Sequence, residues 1–223
     1  VALRLMRVLT GLVLVASGVL LHLASWQRWA GHCPWGSQQE TAACNQRMDH
    51  LYDFLFIGDP WVPVGKAAEL AGLSLLLVAL ALILLPWATS ELWPGPGITA
   101  GLALSALVLA NVGLATRRSG LAGEVVEPAL ESGGFMLLWV PSLVLTWVAV
   151  RARGWVRAGS IFLVLGSPLV AAFTYAIGPF DAAPWWEAYS GDLTAMGGLC
   201  LLVAAVRRPA RKREPAAEAA TVA

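Results

Sequence analysis

The stretch LAGLSLLLVALALILLPW, residues 70–87, decides the class of this protein. It carries no Asp, Glu, Lys or Arg. As a helix rising 1.5 Å per residue it extends roughly 27 Å, close to the apolar thickness of a bilayer. Four more stretches repeat the pattern, at residues 8–26, 98–116, 134–150 and 158–177, and none of them contains a formal charge. A sixth, 193–206, is short and crosses a membrane only where helix continues past its ends. Composition agrees: 58% of the residues are hydrophobic, 13% are charged and mean hydropathy is +0.68, against roughly 25% charged in an average soluble domain. So much apolar surface exceeds what a 223-residue globule can hide. The fold expected is an all-α polytopic integral membrane bundle of six transmembrane helices over residues 1–206. A tail, 207–223, is basic at first and then disordered.

Orientation follows from the basic residues. The net charge of +1 conceals an asymmetry. With the N-terminus inside, the cytoplasmic segments hold Arg4, Arg7, Arg151, Arg153, Arg157, Arg207, Arg208, Arg211, Lys212 and Arg213. The external segments hold Arg28, Arg47, Lys66, Arg117 and Arg118, together with most of the carboxylates. Excess Arg and Lys marks the cytoplasmic side, so both termini are expected in the cytoplasm of a multi-pass cell-membrane protein. Arg117 and Arg118 are the discordant pair. Trp26, Trp29, Trp35, Trp61, Trp185 and Trp186 fall near one boundary and Trp87, Trp93, Trp147 and Trp155 near the other, as indoles do at an interface. Arg4 and Arg7 before an apolar run also suit a signal peptide, but no small-x-small cleavage site follows, so residues 8–26 are expected to stay as a span. Scarce lysine with abundant arginine and alanine points to a high-GC bacterial genome.

Inside the bundle, the third span carries two small-residue sets on opposite faces: Gly97, Gly101 and Ser105, then Ala106, Ala110 and Gly113. Such faces let helices approach closely in lipid, so each set is expected to meet a different neighbour. His22 lies one turn from the external end of the first span. No carboxylate or cation lies near mid-membrane, which weighs against an ion-coupled transporter.

Chemistry, if present, belongs to the external connections. The loop 27–69 holds Cys33 and Cys44, which an oxidising exterior pairs as a disulfide. A surface helix is expected over about 38–56, opened by the capping-box spacing Ser37 to Glu40 and carrying Met48, Leu51, Tyr52 and Leu55 on one face. Its polar side presents Asp49, His50 and Asp53, an arrangement open to acid–base work or to a partial metal site, although a full ligand set is not visible and no metal is assigned. In the second connection, Glu124, Glu127 and Glu131 have the spacing of one helical face. In the third, Trp185, Trp186 and Glu187 place aromatic surface beside a carboxylate, suited to an organic cation or to a role as interfacial anchor. The candidate catalytic residues are thus Asp49, His50, Asp53 and Glu187, with Trp185 and Trp186 as candidate ligand-binding residues.

The expected function is a non-catalytic accessory or scaffold protein whose external loops bind a partner or lipid. Alternatives are a small membrane enzyme acting on a lipid or isoprenoid at the outer boundary, and a carrier for a small solute. The sequence leaves open whether the chain is an enzyme. No cofactor is implied: CxxC pairs, in-span histidine pairs and aspartate-rich prenyl motifs are all missing. The partners expected are membrane lipids, another membrane protein or a lipid-like small molecule, and not nucleic acid. The basic run 207–213 is suited to anionic lipid. The topology makes a direct prediction: reporters fused after Arg157 and after Arg213 both report cytoplasm. An external signal at either one overturns the six-span arrangement.

Overall fold

The computed structural model describes residues 2–35, 41–48, 57, 61–89, 95–129, 137, 139–167, 170 and 184–207. Its helices are α1 (Ala2–Trp29), α2 (Ala42–Met48), α3 (Ala67–Thr89), α4 (Pro96–Ala122), α5 (Trp139–Arg151), α6 (Gly154–Leu165) and α7 (Trp186–Val206). No strand occurs among the described residues. Four of the helices, α1, α3, α4 and α7, are long and apolar enough to cross a membrane. α5 and α6 are apolar but shorter, at 13 and 12 residues. They cover only parts of the expected fourth and fifth spans, and residues 130–136, 168–169 and 171–183 lie outside the described residues, as does the tail from 208 onward.

Each long helix outruns its apolar core. α7 starts at Trp186 rather than at residue 193, giving 21 residues and removing the doubt about its length. Hydropathy cut it short because Glu187 and Asp192 occupy its first two turns. Both have partners in the fold, and a carboxylate in a first helical turn meets the positive end of the helix dipole. α4 begins with Pro96 in its first turn, where the missing N–H costs nothing. It runs on through Arg117 and Arg118, both exposed, so these two discordant cations lie near the carbonyl end of a helix dipole. Gly123, at φ 73°, ends α4 by donating its N–H to the Ser119 carbonyl at 2.8 Å. This cap stops the helix before Glu124 and Glu127, so those glutamates do not continue α4 as one helical face.

The six larger helices form a closed ring in the order α1, α3, α4, α5, α6, α7, with α7 returning to α1. Leu12 and Val19 of α1, Leu80 and Ile83 of α3, and Leu107 and Leu114 of α4 point out of the ring and are exposed. A contiguous apolar exterior of this extent suits lipid rather than water. At one end, Arg7 donates from Nε to the Ala88 carbonyl at 3.0 Å and from Nη1 to the Ala204 carbonyl at 3.2 Å, capping the last turns of α3 and α7. The opposite end carries the disulfide. These are called the arginine end and the disulfide end.

Glycines hold the ring together. A Cβ placed on Gly11 would lie 2.9 Å from the carbonyl oxygen of Gly198, and one on Gly198 would lie 2.6 Å from that of Gly11. Gly18 and Gly191 face each other in the same way. Two glycines seven residues apart on each of two antiparallel helices therefore set backbone against backbone. The α3–α4 contact repeats the device at Gly72 and Gly113, and the α6–α7 contact at Gly159 and Gly197. Gly113 thus meets α3, while Gly97 and Gly101 face Trp147 and Val144 of α5. The two small faces of α4 meet two neighbours, as their spacing predicts. Serines add interhelical bonds. Ser17 Oγ donates to the Ser74 carbonyl and Ser74 Oγ to the Ser17 carbonyl, each at 2.9 Å. Ser142 Oγ lies 2.7 Å from Ser167 Oγ, and Ser190 Oγ donates to the Gly166 carbonyl at 2.6 Å.

The backbone contact predicts an asymmetric response to one added methyl. Gly18→Ala drives Cβ into the α7 backbone, which cannot step aside, and should cost about 1–3 kcal/mol. Gly97→Ala places its Cβ 3.4 Å from the Trp147 ring, an ordinary contact. Thermal unfolding in detergent should show a lowered Tm for the first variant and an unchanged one for the second. Equal Tm values would mean that α1 and α7 are not held by close approach.

Candidate functional site at the disulfide end

The site is built where α1 runs out. Arg28 and Trp29 continue the buried stripe of Leu14, Leu21 and Ala24, so the helix carries them inward rather than onto the surface. Trp29 is fully buried and its Nε1–H donates to Glu187 Oε2 at 2.8 Å. Only 3% of Glu187 and 3% of Arg28 are exposed. Beside them is a space of about 10 Å3 bounded by Ser25, Arg28 and Glu187, with Ala67 and Ala71 of α3 closing it. Glu187 Oε1 and Ser25 Oγ have no hydrogen-bond partner among the described residues. That volume holds about one water, which could satisfy both.

A second layer covers the first. Cys33 and Cys44 are joined by a disulfide, as the loop spacing predicts. It ties α2 to the turn that follows α1. The cap of α2 is Thr41, whose Oγ1 accepts from the Cys44 N–H at 3.1 Å. The expected capping box at Ser37 to Glu40 lies outside the described residues. Both half-cystines are buried in one cluster with Trp29, Trp185 and Ala188. Trp185 Nε1–H donates to the Cys33 carbonyl at 2.9 Å, and its ring packs edge-on against Trp35 at 4.7 Å and Trp26 at 5.6 Å. Trp185 holds φ at 72°, a left-handed backbone that a bulky residue adopts at a cost of about 1–3 kcal/mol. The indole hydrogen bond and the two ring contacts offset that cost. Farther along α7, Asp192 Oδ1 lies 3.0 Å from His22 Nδ1, and Trp35 bridges toward Tyr189 at 5.3 Å and His22 at 5.9 Å.

The sequence-derived candidates fall into two groups. Glu187, Trp185 and Trp186 are described, and all three are buried. Trp185 lies in the disulfide cluster and Trp186 in the main core. Asp49, His50 and Asp53 lie outside the described residues. Of the expected surface helix 38–56, the described residues include α2, Ala42–Met48. Among the described residues, no group of three or more metal-ligating side chains converges. Arg28, an external cation by sequence, and Trp29, an interfacial indole by sequence, are both part of this buried site. The signal lies in the 3–4 residue spacing of Leu14, Ser17, Leu21, Ala24 and Arg28, which keeps one face inward through the end of the helix. Pairing Trp29 with Glu187, 158 positions away, needed the fold.

On the axis of the ring lies a second space of about 30 Å3, bordered by Leu21, Ser74, Leu109, Leu145, Ser167 and Thr194 among others from all six helices. The chain matches no known protein family, no curated protein and no solved structure.

Two substitutions test how this end is held. Trp29→Phe keeps an aromatic ring but leaves a void and strips the donor from a buried carboxylate oxygen. The lost donor alone should cost about 1–3 kcal/mol and the void adds to it, while Trp26→Phe, at an exposed position, should cost little. Replacing Cys33 and Cys44 with serine opens a short loop and should lower stability by about 2–3 kcal/mol. Thermal unfolding reads both. A Trp26→Phe loss as large as that of Trp29→Phe would show that the Glu187 contact is not what matters.

Proposed function

We propose that the chain is a six-span cell-membrane protein with both termini in the cytoplasm. It acts as a non-catalytic accessory or scaffold protein whose disulfide-end loops bind a partner protein or lipid. One observation carries the reading: the space that the described residues enclose on the ring axis is small. Its axial cavity of about 30 Å3 compares with roughly 300–1,000 Å3 for a pocket that takes a small organic molecule. A carrier needs a central binding site, and an enzyme needs room for its substrate beside the reactive group. Glycine packing fills the ring instead. The closure of the ring supports the six-span topology, since α5 and α6 bridge α4 to α7 and share their apolar environment.

The enzyme reading rests on Asp49, His50 and Asp53, which lie outside the described residues, and on Glu187, a buried carboxylate with one oxygen left open among the described residues. The space beside it, about 10 Å3, admits a water and excludes a lipid or isoprenoid. The exposed faces of Trp35 and Tyr189 give the disulfide end an aromatic surface of the kind enriched at protein interfaces. Photo-crosslinking residues at positions 35 and 189, introduced into the full-length protein in its own membrane, should give one discrete adduct. Replacing both Cys33 and Cys44 with serine should abolish that adduct. Lipid turnover or solute flux in proteoliposomes that is lost in Glu187→Gln would overturn the scaffold reading.

A further inference from the structure

On the outside of the ring, an open groove of about 210 Å3 runs between α5 and α6, with Thr146 and Val150 on one wall and Ile161 and Leu165 on the other. It exists because α6 turns its small face elsewhere. Gly159 presses against Gly197 of α7, and Ser142 and Ser167 hold α5 and α6 together nearer the disulfide end. Among the described residues, no helix covers the Ile161–Leu165 side of α6. Arg157 stands at the arginine end of this groove and lines it.

The charge around it is one-sided. Residues 134–177 contain Arg151, Arg153 and Arg157 and no carboxylate. The ion pair formed among the described residues, His22 with Asp192, lies at the other end of the bundle. Arg151 is placed over the Trp147 ring at 4.7 Å, and Arg207 over that of Trp155 at 4.9 Å. Exposed tryptophans paired with arginines mark the headgroup level. Arg157 sits on α6 half a turn from Trp155, at that level, and the groove runs from it about 12 Å into the apolar zone as far as Leu165. An apolar slot deep in the bilayer, with a cation at headgroup depth and no carboxylate at that end among the described residues, matches a lipid with a negative headgroup.

We propose that the α5–α6 groove binds one anionic phospholipid, its phosphate on the Arg157 guanidinium and one acyl chain along Val150, Ile161 and Leu165. The site rests on the six-span reading, which puts this face in lipid. Native mass spectrometry of the full-length protein, with phosphatidylglycerol or phosphatidylcholine of identical chains added, tests it. The wild type should retain one phosphatidylglycerol in preference to phosphatidylcholine. Arg157→Gln should weaken that retention by about tenfold, and Ile161→Trp, which fills the slot and leaves the charge, should also weaken it. Arg118→Gln, at the far end of α4, should not. Equal retention of the two lipids by the wild type, or undiminished phosphatidylglycerol binding in Arg157→Gln, overturns the site, as does a lipid-free dimer dispersed by Ile161→Trp. Labelling Arg153→Cys in intact cells with a membrane-impermeant thiol reagent checks the topology separately. External labelling there would refute the six-span reading, and protection together with absent lipid preference would refute the groove alone.

Discussion

Among helices immersed in lipid, apolar contact releases nothing that acyl chains do not already supply, so association depends on how closely two backbones can come. In this chain α1 and α7 make that approach, with Gly11 set against Gly198 and Gly18 against Gly191. A seven-residue spacing on both helices keeps the same faces together over two turns, the geometry of a left-handed pair. Much of the ring follows from it. With α7 fixed on α1, its adjacent residues Ser190 and Gly197 are turned toward α6, where they meet Gly166 and Gly159. On the other side of α1, Ser17 reaches Ser74 of α3. One helix pair thus orients its two neighbours, and α4 and α5 complete the circle.

The same arrangement accounts for charge buried at the disulfide end. Glu187 lies in the first turn of α7, where a helix dipole favours it, and takes a hydrogen bond from the fully buried Trp29. Above it, the disulfide, α2 and Trp185 form a covering layer. Burying a carboxylate is tolerable when a helix dipole and a buried donor answer it. The strained backbone at Trp185 shows that this layer is held by its contacts, not by local preference.

Much of the fold could be read from residue order, because a bilayer permits few solutions. Apolar runs locate every described long helix, and the spacing of small residues on α4 predicts its two neighbours. The cysteines announced their bond through compartment and spacing. Hydropathy failed at helix ends. It starts α7 only at residue 193 because Glu187 and Asp192 look costly one residue at a time, and only Trp29 and His22 show why they are not. It puts Arg28 in the external segment although the helical phase turns it inward. The Gly11, Gly18, Gly191 and Gly198 contact escaped notice for a different reason. Each pair of glycines is ordinary alone in a membrane helix, and its meaning lies in a match across the whole chain.

That match has a consequence for how the protein is made. Gly18 and Gly191 are separated by 173 positions, so the first helix leaves the ribosome long before its partner exists. At about 5–20 residues per second, the interval is roughly 10–35 s. Throughout it, the glycine face of α1 lies open to lipid, to α3 alone, or to any insertion factor that shields small-residue surfaces. α7, which emerges well after α1, is the helix that locks it, so the arrival of α7 is itself a checkpoint for assembly. A nascent chain that stalls before α7 would present an unfinished seam that membrane quality control can recognise.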